Sequence, residues 1–295
     1  MKRLVLIDGH ALLHRAYHAI PPLTTKKGEL VNAVFGFTSM LLKVISDLRP
    51  SHLIVCFDRP VPTFRHKVFP QYQAQRPAMA QDLKNQIKKV KEVVKVLGAP
   101  IYEKDGYEAD DLIGTLARQA KGEAVIVTGD RDIFQLITEK VKVYAPKRGL
   151  SDPEVFDQKK FEEKYGFEPK QLVDFKALVG DSSDNYPGVA GIGPKTAQGL
   201  IEEYGSLGKI YRRLNNLAPK TAEKLVKDEK QARLSYRLAR IETKVPIKLD
   251  VKKAQFGDYD PEEVAALFEK LEFRSLIKRL PGKEEKKDEQ IGLFE

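Results

Sequence analysis

Three apolar, β-branched runs in this chain each terminate in aspartate. Leu4-Val5-Leu6-Ile7 meets Asp8, Leu53-Ile54-Val55-Cys56-Phe57 meets Asp58, and Ala124-Val125-Ile126-Val127-Thr128-Gly129 meets Asp130. A short run that is apolar without alternation fits a strand buried on both faces, and such strands belong to parallel sheets. Between the runs the apolar spacing becomes helical. Ala33–Leu48 carries Val34, Phe37, Leu41, Leu42 and Ile45, while Leu83, Ile87, Val90, Val94 and Leu97 follow the three-and-four spacing up to Gly98. Strands alternating with helices predict an α/β fold, a central and mainly parallel sheet flanked by helices and joined by right-handed crossovers. In such open sheets ligands meet the carboxyl ends of the strands. Asp8, Asp58 and Asp130 would stand there.

The texture changes near residue 170. Residues 1–174 read as the α/β core, residues 175–280 as a helical second region, and residues 281–295 as a charged, flexible tail. Asp181-Ser182-Ser183-Asp184-Asn185-Tyr186-Pro187-Gly188 interrupts the helix formers, and Pro194-Lys195-Thr196-Ala197 is echoed by Pro219-Lys220-Thr221-Ala222. Cys56 is the sole cysteine, which excludes a disulfide scaffold or a cysteine-rich zinc site and fits a reducing cytoplasm. No apolar run approaches the ~18–20 residues of a membrane span.

Glu108, Asp110 and Asp111 precede Leu112, Ile113, Leu116 and Ala117, which places them in the first turn of a helix. Acids there can serve simply as caps, worth about 0.3–1 kcal/mol against the helix dipole. Asp130 and Asp132 could likewise form a turn and cap, and Asp181 and Asp184 could form Asx turns. Together these readings are strained, because acids converging on one cleft oppose folding unless protonated or paired. Oxygen ligands without His or Cys partners favour Mg²⁺ or Mn²⁺ over Zn²⁺. The candidate acids outnumber what one Mg²⁺ uses, so two ions about 3.5–4 Å apart are expected, the arrangement for in-line attack on a phosphodiester. No Ser/His/Asp set or GxxxxGK[ST] loop is present, which weakens other hydrolase and NTPase readings.

The formal charge is +9, which suggests a polyanionic partner in spite of the clustered acids. Arg59, Arg65, Lys67 and Arg76 are interleaved with Phe64, Phe69 and Tyr72 in an acid-free segment directly after Asp58. Such a segment can hold a strand backbone and stack a base, for roughly 1–3 kcal/mol per base, or form a surface loop whose aromatics pack on the body. Gly188–Ala197 is a glycine-rich turn entering a helix, with Gly191, Gly193, Lys195 and Thr196 able to meet a phosphate. It follows a polar loop and lacks dinucleotide-fingerprint spacing, so a hairpin gripping a DNA backbone is the better reading.

With these residues in order, the chain resembles the 5′-nuclease (flap endonuclease) family, in the form of the bacterial 5′→3′ exonuclease domain of DNA polymerase I. The resemblance covers about residues 3–280. It rests on Leu6-Ile7-Asp8-Gly9, Phe57-Asp58 with Phe64-Arg65-His66, Tyr107-Glu108-Ala109-Asp110-Asp111, Thr128-Gly129-Asp130-Arg131-Asp132, and Gly180-Asp181-Ser182-Ser183-Asp184-Asn185 leading into Gly191-Ile192-Gly193-Pro194-Lys195-Thr196-Ala197.

The resemblance implies that Asp8, Asp58, Glu108, Asp110, Asp111, Asp130, Asp132, Asp181 and Asp184 line a two-metal site, with Mn²⁺ able to replace Mg²⁺. It implies that Arg65 and Arg76 stand at the base of a helical arch and steer the scissile phosphate, and that Gly191–Ala197 is a helix-hairpin-helix element, often with K⁺ on its carbonyls. The chain departs from the family at Gln73, where many relatives carry lysine; either Lys67 substitutes as the second cation or the catalytic rate is lower. Gln290, Leu293 and Phe294 resemble the peptide by which bacterial replication proteins dock on the sliding clamp, which would make this a free-standing nuclease. The expected activity is Mg²⁺-dependent, structure-selective 5′ hydrolysis of flap or 5′-end DNA, with RNA primers on DNA as a further substrate. A non-catalytic junction binder and a PIN-like ribonuclease are the alternatives.

Overall fold

The computed structural model describes residues 1–148 and 152–280. The chain runs β1 (Arg3–Asp8), α1 (Gly9–Ala19), α2 (Asn32–Leu48), β2 (His52–Cys56), α3 (Phe64–Val68), α4 (Gln81–Val96), β3 (Ile101–Tyr102), α5 (Ala109–Gln119), β4 (Glu123–Val127), β5 (Val141–Arg148), β6 (Asp152–Phe156) and α6 (Gln158–Tyr165). It continues through α7 (Leu172–Val179), the short strands β7 (Gly180–Asp181) and β8 (Tyr186–Pro187), α8 (Pro194–Tyr204), α9 (Leu207–Arg212), α10 (Pro219–Lys227), α11 (Glu229–Ala239), α12 (Pro261–Lys270) and α13 (Arg274–Ile277). Asp132–Leu136 forms a 3₁₀ turn after β4.

The main sheet has the order β3-β2-β1-β4-β5-β6. β1 to β5 run parallel and β6 is antiparallel to β5. The expected mainly parallel sheet is present, and its central strands β1, β2 and β4 are apolar along most of their length because helices cover both faces. Leu4, Leu6, Ile54, Cys56 and Ile126 pack with Leu112, Ile113 and Leu116 of α5. Val5, Ile7, Leu53, Val55 and Val127 point the other way, against Leu13, Phe37, Leu41 and Val90 of α1, α2 and α4. This is the period-two alternation of a strand buried on both sides.

Strand order reverses at β1: β2 and β3 build to one side, and β4 then returns to the other. Asp8 sits at the carboxyl end of β1, level with Cys56, and Asp130 follows β4, so both flank the switch point where open α/β sheets place their ligands.

Beyond β6 the chain is mainly helical, interrupted by β7 and β8 and by an irregular stretch over 241–260. Gly180 has φ +78°, and a side chain on Gly188 would strike the backbone of Leu178 and Val179. Both glycines are needed to double the chain back and bring Asp181 and Asp184 beside the sheet. Val264 and Phe268 of α12, with Leu276 of α13, pack in the same layer as α2 and α4. The last segment therefore covers the opposite face of the sheet from α8. Among the described residues, no helix is long and apolar enough to cross a membrane.

Candidate metal centre and active-site cavity

Each acid at a strand end is held by a local backbone feature. Asp8 caps α1, accepting the Ala11 N–H at 3.0 Å, while the Thr128 hydroxyl donates to its other oxygen at 2.8 Å. Asp58 accepts the Ala109 N–H at 2.7 Å and so caps α5 from another strand. His10 Nδ1 accepts the Asp58 backbone N–H at 3.0 Å. Glu108 is the N-cap of α5, and Asp110 stands in its first turn. Asp130 accepts the Asp132 N–H at 2.8 Å. The capping reading holds for these acids, and the same bonds fix carboxylates that line the cleft.

The acids fall into two groups. Asp8, Asp58, Glu108, Asp110 and Asp130 interact across the carboxyl ends of β1, β2 and β4. Asp132, Asp181 and Asp184 form the second group, with one carboxylate oxygen of each within 4.8 Å of the others. The electrostatic strain is severe. Burial, then repulsion from Asp58, pushes Asp8 up to about 6. Burial raises Glu108 to about 7, against the pull of Arg65. Burial and then Asp130 drive Asp110 well above the carboxylate range. Burial lifts Asp132 to about 7 in spite of Lys176. Two acids move the other way: burial opposes it, but His10 holds Asp58 below its usual value, and Lys176 and Ser183 draw Asp181 down to about 2.

These directions fix a pH dependence. A carboxyl whose folded pKa is raised binds protons that the unfolded chain has already lost, so the metal-free protein loses stability as pH climbs from about 4 to about 7. Asp58 and Asp181 act oppositely, but only near and below pH 4. The expected result, read by thermal unfolding in chelator, is a melting temperature about 5 °C or more lower at pH 8 than at pH 5. Mg²⁺ should stabilise more at pH 8 than at pH 5. A chelated protein that is equally stable or more stable at pH 8 would contradict the strain.

A cavity of about 990 Å³ joins the acids to a basic wall. Its lining includes Asp8, Asp58, Glu108, Asp110, Asp130, Asp132 and Asp184 together with Arg59, Arg76, Lys84, Lys88, Lys91 and Lys95. The four lysines follow one face of α4 at spacings of four, three and four. Lys91 pairs with Glu103 at 2.5 Å. Lys84, Lys88 and Lys95 have no ion-pair partner among the described residues. Sequence reasoning used α4 only for its apolar face; the lysine spacing was visible, but not that the opposite face looks onto the acids.

Three expectations require correction. Asp111 is fully buried, and both its oxygens accept from Arg65 at 2.8 Å, with the Glu108 and Glu242 N–H groups at 3.0 and 2.8 Å. It is saturated and faces away from the cleft, so it does not line the metal site. Arg65 is only 2 % exposed, and two further N–H groups go to the Leu238 and Arg240 carbonyls, both at 2.9 Å, while Nη1 also lies 3.3 Å from Glu108 Oε2. It ties α3 to the end of α11, and four of its five N–H groups are committed to that role rather than to a phosphate. Tyr72 is buried, its hydroxyl shared between Asp184 at 3.1 Å and Glu108 at 3.3 Å, so its ring is not a stacking platform.

Arg76 does face the cavity. It is half exposed and pairs with Asp184 at 2.8 Å. Gln73, in the left-handed region at φ +55°, donates its amide to the same carboxylate at 3.0 Å. Lys67 is exposed but is not among the residues lining the cavity. Gly191, Gly193, Lys195 and Thr196 are all exposed at the start of α8, where Gly191 has φ +77°. Gln290, Leu293 and Phe294 lie outside the described residues.

An open parallel sheet with carboxylates at its switch point, facing a wall of cations, defines a metal-dependent nuclease. The chain belongs to the 5′-3′ exonuclease family: residues 3–166 match the 5′-3′ exonuclease N-terminal resolvase-like domain, and residues 167–262 match the 5′-3′ exonuclease C-terminal SAM fold. It is 39% identical to DNA polymerase I of Bacillus subtilis over 283 residues, which are 95% of this chain and 32% of that protein. It is 40% identical to the thermostable DNA polymerase I of Thermus aquaticus over 278 residues, 93% of this chain and 32% of that protein. The chain thus spans about a third of the length of these relatives. The fold is shared with a zinc-bound T5 5′-exonuclease (TM-score 0.70, 21% identity, covering 91% of this chain and 99% of that one). It is shared also with the catalytic core of Rad2 in complex with DNA substrate (TM-score 0.62, 19% identity, covering 92% and 87%).

Proposed function

We propose that the chain is a structure-selective 5′ nuclease that hydrolyses phosphodiesters at the 5′ end or flap junction of duplex DNA, with Mg²⁺ as its cofactor. The observation that carries this reading is one cavity lined both by the acids and by the lysines of α4. The residues suit a hard cation. Every candidate donor is a carboxylate oxygen, and the raised values of Asp8, Glu108 and Asp132 mark charge that a divalent ion would neutralise. The Tyr186 hydroxyl is buried without a partner and feels the charges of Asp132, Asp181 and Asp184. Asp8, Asp58, Glu108, Asp110 and Asp130 would hold one ion, and Asp132, Asp181 and Asp184 another. When bound, such ions supply the Lewis-acid charge that phosphodiester hydrolysis needs.

The chain's own residues do the rest. Arg76 neutralises charge on the phosphate beside Asp184, with Gln73 and Tyr72 fixing that carboxylate. Lys84, Lys88 and Lys95 carry the single strand past the acids, and Lys195 with the α8 N-terminus holds the duplex backbone. For a potassium ion at the hairpin the fit is poorer. The carbonyls of Pro187, Gly188, Val189 and Gly191 already accept from Ser235, Gln231, Ile192 and Lys224, so no step is assigned to it.

The test is a 5′-labelled flap duplex incubated with Mg²⁺ or with chelator. Metal-dependent release of a labelled fragment cut near the junction is expected; preferential cutting of single-stranded RNA would favour the ribonuclease reading instead. Replacing Lys84, Lys88 and Lys95 together by glutamine should make the salt dependence of flap binding shallower by about two, at ~0.7 per lost phosphate contact. An unchanged slope would remove α4 from the strand's path.

A further inference from the structure

The two acidic groups differ in one respect that their ligand chemistry does not require. In the first group Arg65 lies 3.3 Å from Glu108, but no ammonium or guanidinium pairs with Asp8, Asp110 or Asp130 among the described residues; in the second, Lys176 sits between two of the carboxylates. Its Nζ donates to Asp181 Oδ2 at 2.6 Å and also to Asp132. Lys176 lies on α7, one turn before Gly180, and its side chain is only 15 % exposed, so the helix aims it inward with little freedom to leave. Burial disfavours its charge, yet Asp132 and Asp181 raise its pKa above the ordinary lysine value. The ammonium and a divalent ion therefore claim the same carboxylate oxygens.

We infer that Lys176 is a built-in counter-cation that competes with a divalent ion for the Asp132–Asp181–Asp184 group and sets its affinity below that of the neighbouring group. The inference rests on the metal-site reading proposed above. Beside the Arg76–Asp184 pair, the Lys176 ammonium further lowers the field that draws an ion, and its bonds to Asp132 and Asp181 must be given up before those oxygens can coordinate. The two ions then load in sequence, the Asp8–Asp130 group filling first. Lys176 acts here as a positioning residue on the metal's ligands.

The experiment titrates Mn²⁺ alone into the full chain without DNA, reading free Mn²⁺ by its electron paramagnetic resonance signal. Wild type is expected to bind one ion tightly and a second weakly. In Lys176→Met the second should tighten by about tenfold or more, from removal of one charge a few ångströms from the ion, while the first stays within about twofold. Lys176→Arg should keep the weak second site. A second affinity in Lys176→Met that is unchanged or weaker, with the first preserved, overturns the inference. Should Lys176→Met lose the first site through misfolding, Lys176→Gln decides by the same criterion. Fewer than two ions bound by wild type and variant alike would instead reject the two-ion site, and this inference with it.

Discussion

Replacing Asp130 by alanine is expected to lower Mg²⁺-dependent flap cleavage by about a thousandfold or more, comparable to removing a preorganised charge from a reacting centre. Asp130 stands at the meeting of the two acidic groups. It repels Asp110 and Asp132 and raises both. Its own structural work is small, since it is exposed and its one local bond goes to the Asp132 N–H at 2.8 Å. Losing that bond costs about 1 kcal/mol, and relief of like-charge repulsion offsets it. The chelated variant should therefore melt at or above the wild-type temperature, while the extra stability conferred by Mg²⁺ largely disappears. Flap binding in the absence of metal should be unaffected or improved. A variant that keeps more than about a tenth of wild-type cleavage would remove Asp130 from the metal centre.

The second large effect is on stability. Arg65→Ala should destabilise the protein by about 3–5 kcal/mol, because it leaves the fully buried Asp111 carboxylate without its counter-charge and frees the Leu238 and Arg240 carbonyls. Urea unfolding with an unchanged m-value would measure it. Replacing the pair together, Arg65→Met with Asp111→Leu, should recover most of the loss, since a buried pair exchanged for apolar groups is often near neutral. Near wild-type stability with lost cleavage in Arg65→Ala would instead restore the phosphate-steering role that the resemblance assigned to it.

The same pair marks where reading the sequence stops. Strand ends, helix faces and the acids at the switch point were legible because periodicity and burial on two faces leave a direct trace. Asp110 and Asp111 are adjacent in the chain, so composition and spacing treat them alike. Only the helix rotation of one residue sends Asp110 toward Asp8 and Asp130 and Asp111 toward Arg65. Tyr72 failed for a related reason: an aromatic between basic residues looks like a stacking platform unless its hydroxyl is known to satisfy buried acids. Lys176 gave no signal, because of its two partners Asp181 lies beyond the end of α7 and Asp132 is 44 positions away in the chain.

The division of the acids has a consequence for how the molecule comes together. The first group is drawn wholly from the residues matching the N-terminal family domain, whereas Asp181, Asp184 and Lys176 come from the C-terminal one. The reaction centre is thus a seam: neither half of the chain encloses it, and the Gly180–Gly188 hairpin closes it from across the joint. Competence is in this way made conditional on completing the tertiary structure, so a nascent or partly folded chain carries acids and cations without a finished blade.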